Sequence, residues 1–161
     1  MRNKKIESLE ERVRKNRENL SKQDAWARSI EKTDFMDHVT VEEHSYGEGK
    51  RERLDYIYTK ACKELKRPLF FYIHGGGWIA GNKESRRNYC GKFADSGYFV
   101  VNIEYDLAPE AKFPVAINQC IRAVDYVLDH AEKYHLDTDR IAVGGESAGV
   151  WFFCINSLSK L

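Results

Sequence analysis

Arg140-Ile141-Ala142-Val143-Gly144-Gly145-Glu146-Ser147-Ala148-Gly149 is the stretch on which the fold turns: an apolar strand that breaks at glycines into a serine and then into a helix. That order is a nucleophile elbow. The serine sits on a strained strand-to-helix turn, and its neighbours stay small because a larger side chain would clash with the tightly bent backbone. Ser147 is therefore the candidate nucleophile, and Gly145, Glu146 and Gly149 form its turn. The pentapeptide by itself is weak evidence, since two glycines and a serine recur by chance. Its position between an apolar strand and a helix gives it weight.

A second motif occupies an equally specific place. Leu69-Phe70-Phe71-Tyr72-Ile73 is continuously apolar, follows Pro68 and runs into His74-Gly75-Gly76-Gly77-Trp78. A strand that is apolar at every position is covered on both faces. Three glycines at its end let backbone N–H groups turn inward, and their natural target is an oxyanion. Gly76 and Gly77, with the N–H of Ala148 directly after the serine, are the candidate oxyanion-hole donors. Losing one such donor costs about 3 to 4 kcal/mol of transition-state stabilisation. A flexible loop or a phosphate-binding nest is the alternative. A phosphate loop would bring a lysine and a hydroxyl residue into the glycine run, and neither is there.

Outward from these motifs, strands and helices alternate. Val39 to Tyr46 and Arg51 to Thr59, around Gly47-Glu48-Gly49, predict a hairpin of outer strands. Ser85 to Ser96 reads as a helix capped by Ser85 and stopped by Gly97, with Tyr89 and Phe93 on one face. Tyr98 to Glu104 is the next buried strand. After Pro109 and Pro114, a long helix carries the stripe Ile117, Ile121, Val124, Leu128 and Ala131 and ends near His135. The strand Ile141 to Gly144 follows, then a last helix from about Ala148. This succession predicts an α/β fold: a mostly parallel sheet of about five strands with helices on both faces.

Residues 1–34 differ in character, with dense alternating charge and a thin apolar stripe of Ile6, Leu9 and Val13, then Leu20, Trp26 and Ile30. Ser21 and Asp24 form a capping pair, which predicts two short charged helices with a break near Leu20. The segment is either a solvated arm or a lid. The expected organisation is an N-terminal helical cap segment over 1–34 and an α/β domain over 35–161.

The 161 residues hold 26 basic and 25 acidic side chains for a net charge of +1, so neither a nucleic acid nor an acidic lipid is an expected partner. A small molecule is. Cys62, Cys90, Cys120 and Cys154 are scattered with no CxxC pair and no metal-ligand spacing, which predicts buried thiols and no metal. Met1 to Glu7 is positive but leads into mixed charge rather than an apolar core, so no signal peptide is expected. The longest apolar run, Val150 to Ile155, falls short of the roughly 18 residues of a membrane span. The expected compartment is the cytoplasm.

His74 to Trp78, Tyr105-Asp106-Leu107-Ala108-Pro109-Glu110 and Gly145 to Gly149, in that order with a helix between each pair, resemble the hormone-sensitive-lipase-like family of α/β-hydrolases. The resemblance covers roughly residues 39 to 161, the N-terminal half of that family's catalytic domain, and the preceding charged helices resemble its cap segment. It implies hydrolysis of short acyl esters by a serine, histidine and aspartate triad, without metal or cofactor. Asp106 stands where the family usually has arginine, which implies altered local pairing.

The family's acid and histidine follow the serine on the last strands, and none is expected in this chain. His74 reads as an anchor of its own loop. His130 and His135 close a helix that carries them roughly 30 Å from the serine end, and His38 and His44 lie near an outer strand, solvated by default. Without a base Ser147 keeps an ordinary hydroxyl. The expectation is a serine carboxylesterase by design, inactive as this chain alone, completed by a missing C-terminal portion or self-associating through an open sheet edge at Ile141 to Gly144. An aryl formamide hydrolase and a non-catalytic remnant that binds a ligand or partner protein are the alternatives.

Overall fold

A computed structural model of the chain describes residues 7–60 and 65–150. Its elements are helix α1 (Leu9–Ile30), strands β1 (Val39–Ser45), β2 (Arg53–Thr59) and β3 (Arg67–Ile73), helix α2 (Arg87–Asp95), strand β4 (Phe99–Ile103), helix α3 (Val115–Asp129) and strand β5 (Leu136–Gly145). The five strands form one sheet in the order β1-β2-β4-β3-β5. β4 and β5 flank β3 in parallel, and the β1–β2 hairpin adds antiparallel pairings on the β4 side. The expected hairpin and the expected central strands are all present.

Alternation along the strands sends side chains to two faces, and each face meets a helix. One core layer joins Leu54, Tyr56, Leu69, Phe71, Phe99 and Val101 to Cys120, Ala123 and Val127 of α3. The other joins Ile57, Tyr72 and Val100 to Cys90 and Ala94 of α2. The predicted stripe of α3 is met in part: Ile117, Val124 and Ala131 pack on the core, Ile121 and Leu128 are exposed, and the most deeply buried positions are Cys120, Ala123 and Val127. Small side chains win those positions because they let the helix approach a sheet crowded with aromatic rings. Cys90 and Cys120 are buried free thiols, and burial pushes both above the ordinary thiol range. Cys62 and Cys154 lie outside the described residues.

β5 is longer than expected: Asp137, Thr138 and Asp139 join it, with a register shift opposite Pro68 and Leu69. It forms the sheet edge beside β3, as expected. The helix after the elbow begins at Ala148, and its continuation past Val150 lies outside the described residues. Among the described residues no helix is long and apolar enough to cross a membrane.

The two short N-terminal helices are corrected to one. α1 runs unbroken for 22 residues from an N-cap at Ser8, whose hydroxyl accepts from the Glu11 N–H at 3.2 Å. No glycine or proline interrupts Leu9–Ile30, and the charged residues that fill it are good helix formers. Ser21 and Asp24 therefore do not cap a second helix. Val13 and Asp24 are buried while Leu9, Trp26 and Ile30 are exposed, so the helix docks largely through polar side chains. Arg17 donates to the Ile79 carbonyl at 2.6 Å and the Ala108 carbonyl at 3.0 Å, and its two NH groups hold both Glu110 carboxylate oxygens at 2.8 and 2.7 Å.

Beneath α2 lies a buried ion cluster. Lys83 is 1% exposed, and its ammonium donates to Asp55 at 2.7 Å and Glu43 at 2.5 Å. Asp55, fully buried, also accepts two hydrogen bonds from Arg87 at 2.8 and 2.9 Å. Burial opposes the charge on Lys83, but the hydrogen bonds it donates to Asp55 and Glu43 outweigh it and raise its pKa.

Two outcomes are expected from these contacts. Asp55→Ala removes the fully buried carboxylate that Lys83 and Arg87 share, leaving Lys83 only the exposed carboxylates of Glu43 and Glu84, and should destabilise the fold by about 3 kcal/mol in urea unfolding. The hydrogen bonds that Arg17 donates, chiefly, pull the Glu110 carboxyl from its ordinary 4.5 down to about 2. A depressed carboxylate stabilises fully above its unfolded pKa and loses that contribution as pH falls through its folded one. Amide protection along α1 should therefore be constant above about pH 4.5 and decline towards pH 2, a decline that Glu110→Gln removes.

Candidate functional site

β3 and β5 are parallel neighbours with Ile73 opposite Gly145, so the loop after β3 and the elbow after β5 leave the same end of the sheet side by side. The approach is close. A Cβ on Gly145 would stand 2.6 Å from the Ile73 carbonyl oxygen, and one on Gly149 would overlap that same oxygen. Only glycine lets the turn pass over the end of β3. Between them Ser147 is exposed and has a φ of 49°, the left-handed region that a side-chain-bearing residue occupies at a cost of about 1 to 3 kcal/mol. The Gly149 N–H donates to the Glu146 carbonyl at 2.9 Å and the Val150 N–H to that of Ser147 at 3.1 Å, which closes the turn into the helix start.

The loop after β3 is similarly wound. Gly76, Gly77 and Trp78 have φ of 121°, 61° and 61°, and the Gly76 carbonyl accepts from the N–H groups of Ile79 and Ala80 at 3.2 and 3.0 Å. Among the described residues, no acceptor takes up the N–H groups of Gly76, Gly77 or Ala148. Gly75 N–H lies 3.4 Å from Glu146 Oε1, a direct link between loop and elbow. Trp78 is part-exposed, and its carbonyl accepts from the Ala108 N–H at 2.8 Å.

His74 is 1% exposed and committed on both nitrogens: Nε2 lies 2.8 Å from Glu104 Oε1 and Nδ1 2.7 Å from the Gly75 carbonyl. Its ring stacks on Tyr105 at 4.3 Å, and the Tyr105 hydroxyl donates to the His74 carbonyl at 2.8 Å. With a protein oxygen within hydrogen-bond distance of each ring nitrogen, both nitrogens of His74 are already engaged and neither is free for Ser147. All five histidines lie among the described residues, and the other four are elsewhere. His130 Nδ1 lies 2.7 Å from the Tyr126 carbonyl, at the far end of α3, while His38 and His135 are exposed. His44, expected to be solvated, is instead half-buried with its ring 4.3 Å from that of Tyr56, because β1 folds that side chain over the aromatic layer.

Two residues important to this geometry, Glu104 and Arg86, escaped the sequence reading, while Asp106 was expected to show altered pairing. Glu104 accepts from the backbone N–H groups of Tyr105 at 3.0 Å and Lys83 at 3.2 Å, from Arg51 at 2.5 Å, and faces His74. Its signal was an acidic residue closing an otherwise apolar strand. Arg86 donates to Asp24 at 2.8 Å and to Glu146, and nothing local in the sequence marks either partner. Asp106 pairs reciprocally with Gln119: its N–H donates to Oε1 at 2.8 Å, and Nε2 donates back to its carboxylate at 2.7 Å. A cavity of about 500 Å³ opens between α1 and these loops, lined by Arg17, Asp24, Arg51, Asn82, Asp106 and Leu107 among others.

This arrangement has relatives. The BD-FAE family model matches residues 54–160. A protein of Acanthamoeba polyphaga mimivirus that carries an α/β-hydrolase name is 28% identical over 86% of this chain and 37% of its own length. An acetyl esterase of Salmonella schwarzengrund is 33% identical over 56% of the chain and 28% of the enzyme. Among solved structures, a bacterial heroin esterase superposes with a TM-score of 0.75 at 30% identity, over 87% of this chain and 44% of that one. The chain thus spans less than half the length of these relatives. Two thirds of its residues fall under one family model, its sheet is that of esterases, and the chain belongs to the BD-FAE family of α/β-hydrolases.

Proposed function

We propose that the protein is the N-terminal part of a serine carboxylesterase that hydrolyses short acyl esters, with Ser147 as nucleophile and the N–H groups of Gly76, Gly77 and Ala148 as the oxyanion hole. The observation that carries the reading is the left-handed φ of 49° at Ser147, on a turn pressed against a loop whose Gly76 and Gly77 N–H groups have no acceptor among the described residues. Such strain persists where the surroundings over-determine it and marks a functional position. The serine oxygen attacks the ester carbonyl, negative charge gathers on the carbonyl oxygen, and the amides stabilise it. Residues 1–34 serve as the cap segment over the domain formed by 35–161. The acetyl esterase and heroin esterase names of the relatives support an ester as substrate.

The base comes from another segment, since none of the five histidines partners Ser147. In related triad chemistry the loss of the histidine costs on the order of 10⁶ in rate. The chain alone should therefore be nearly inert towards p-nitrophenyl acetate, and mixing it with the C-terminal half of a related esterase should restore turnover. Ser147→Ala should abolish that turnover. Failure of every complementing segment would overturn the reading in favour of a ligand- or partner-binding remnant, which the unpartnered serine also suits. An aryl formamide tested beside the acetyl ester decides the bond cleaved.

A further inference from the structure

One side chain ties α1 to the elbow. Arg86 is largely buried in the turn before α2 and spans two elements remote in sequence, with NH1 donating to Asp24 Oδ1 of α1 at 2.8 Å and Nε donating to Glu146 Oε1. Asp24 is 7% exposed, an unusual depth for an acidic residue on a charged helix. Its carboxylate is spent on this contact. Glu146 directly precedes Ser147, and the carboxylate oxygen that meets Arg86 also lies 3.4 Å from the Gly75 N–H. A single guanidinium thus joins helix, elbow and glycine loop. Two turns earlier on the same face of α1, Arg17 seats on the carbonyls of Ile79 and Ala108, at the far side of that loop.

We propose that Arg86 is a positioning residue that couples the seat of α1 to the geometry of the elbow, so that α1 works as a strap holding Ser147 and the Gly75–Gly77 loop in register. Arginine suits the task because its planar fork holds two acceptors in fixed directions, which an ammonium does not. Over-determination of the strained serine by neighbouring contacts is what such a residue demands. The mechanical link stands on the contacts alone; its effect on chemistry rests on the nucleophile role proposed for Ser147.

Asp24→Ala tests the link, because Asp24 is bonded to Arg86 rather than to the elbow or the loop. Amide hydrogen exchange of the full chain should speed up at least about fivefold at the hydrogen-bonded amides of the elbow and loop, Gly149, Val150, Ile79 and Ala80, and Asp24→Ala with Glu146→Gln should combine non-additively by a similar factor. Arg86→Lys should reproduce the effect and serves where Asp24→Ala fails to fold. In the chain complemented by the C-terminal half of a related esterase, phosphonylation of Ser147 by a fluorophosphonate in large excess should lose at least about fivefold in its maximal rate constant with an unchanged half-saturating concentration. Elbow and loop exchange within about twofold of the parent, with only α1 loosened, would overturn the proposal. If the complemented parent itself resists the fluorophosphonate, the nucleophile reading fails, and the exchange arm still decides the coupling.

Discussion

Everything at the candidate site depends on the backbone contact between the end of β3 and the turn after β5. Ile73 and Gly145 are register partners, and the Ile73 carbonyl oxygen leaves no room for a Cβ on Gly145 or Gly149. That contact sets where the helix after the elbow can start. It also places Ser147 beside the Gly75–Gly77 loop without any side chain having to reach across. The arrangement is steric before it is chemical, because parallel strands that end together bring their following loops together.

Polar groups then hold what sterics allow. Glu104 gathers His74, Arg51 and two backbone N–H groups, so a buried carboxylate organises the base of the glycine loop. Asp55 does the same for Lys83 and Arg87 beneath α2. In a low-dielectric interior each of these charges is expensive alone and tolerable only when its hydrogen bonds are complete. The two clusters adjoin at Lys83, whose N–H serves Glu104 while its ammonium serves Asp55. Loop geometry and core electrostatics are therefore one problem in this molecule.

What was legible in the sequence was local. The apolar run Leu69 to Ile73, the glycines around Ser147 and the hairpin near Gly47 each carry their structure in adjacent residues, and the strands follow. Phase and distance were not legible. On α3 only part of the apolar stripe is in phase: Ile117, Val124 and Ala131 pack, yet Ile121 and Leu128 are exposed and the deepest positions are Cys120, Ala123 and Val127, where small side chains suit a crowded sheet. On α1 the serine and aspartate that suggested a cap are mid-helix, and Asp24 finds its partner only in the folded chain, at Arg86. The role of Glu104 was hidden in the same way, since Arg51, His74 and Lys83 reach it from three separate segments.

The three glycines after His74 are not equivalent, and the difference bears on how this loop can drift. At Gly75 a side chain would run into the Glu146 backbone, and at Gly76 into the Ala80 carbonyl, so both are closed by space. Around Gly77 there is open room, and only its φ of 61° stands in the way. Asparagine and aspartate visit that region routinely. The middle of the motif is thus a wall, and its third glycine is a door through which a polar side chain could enter the mouth of the site over evolutionary time.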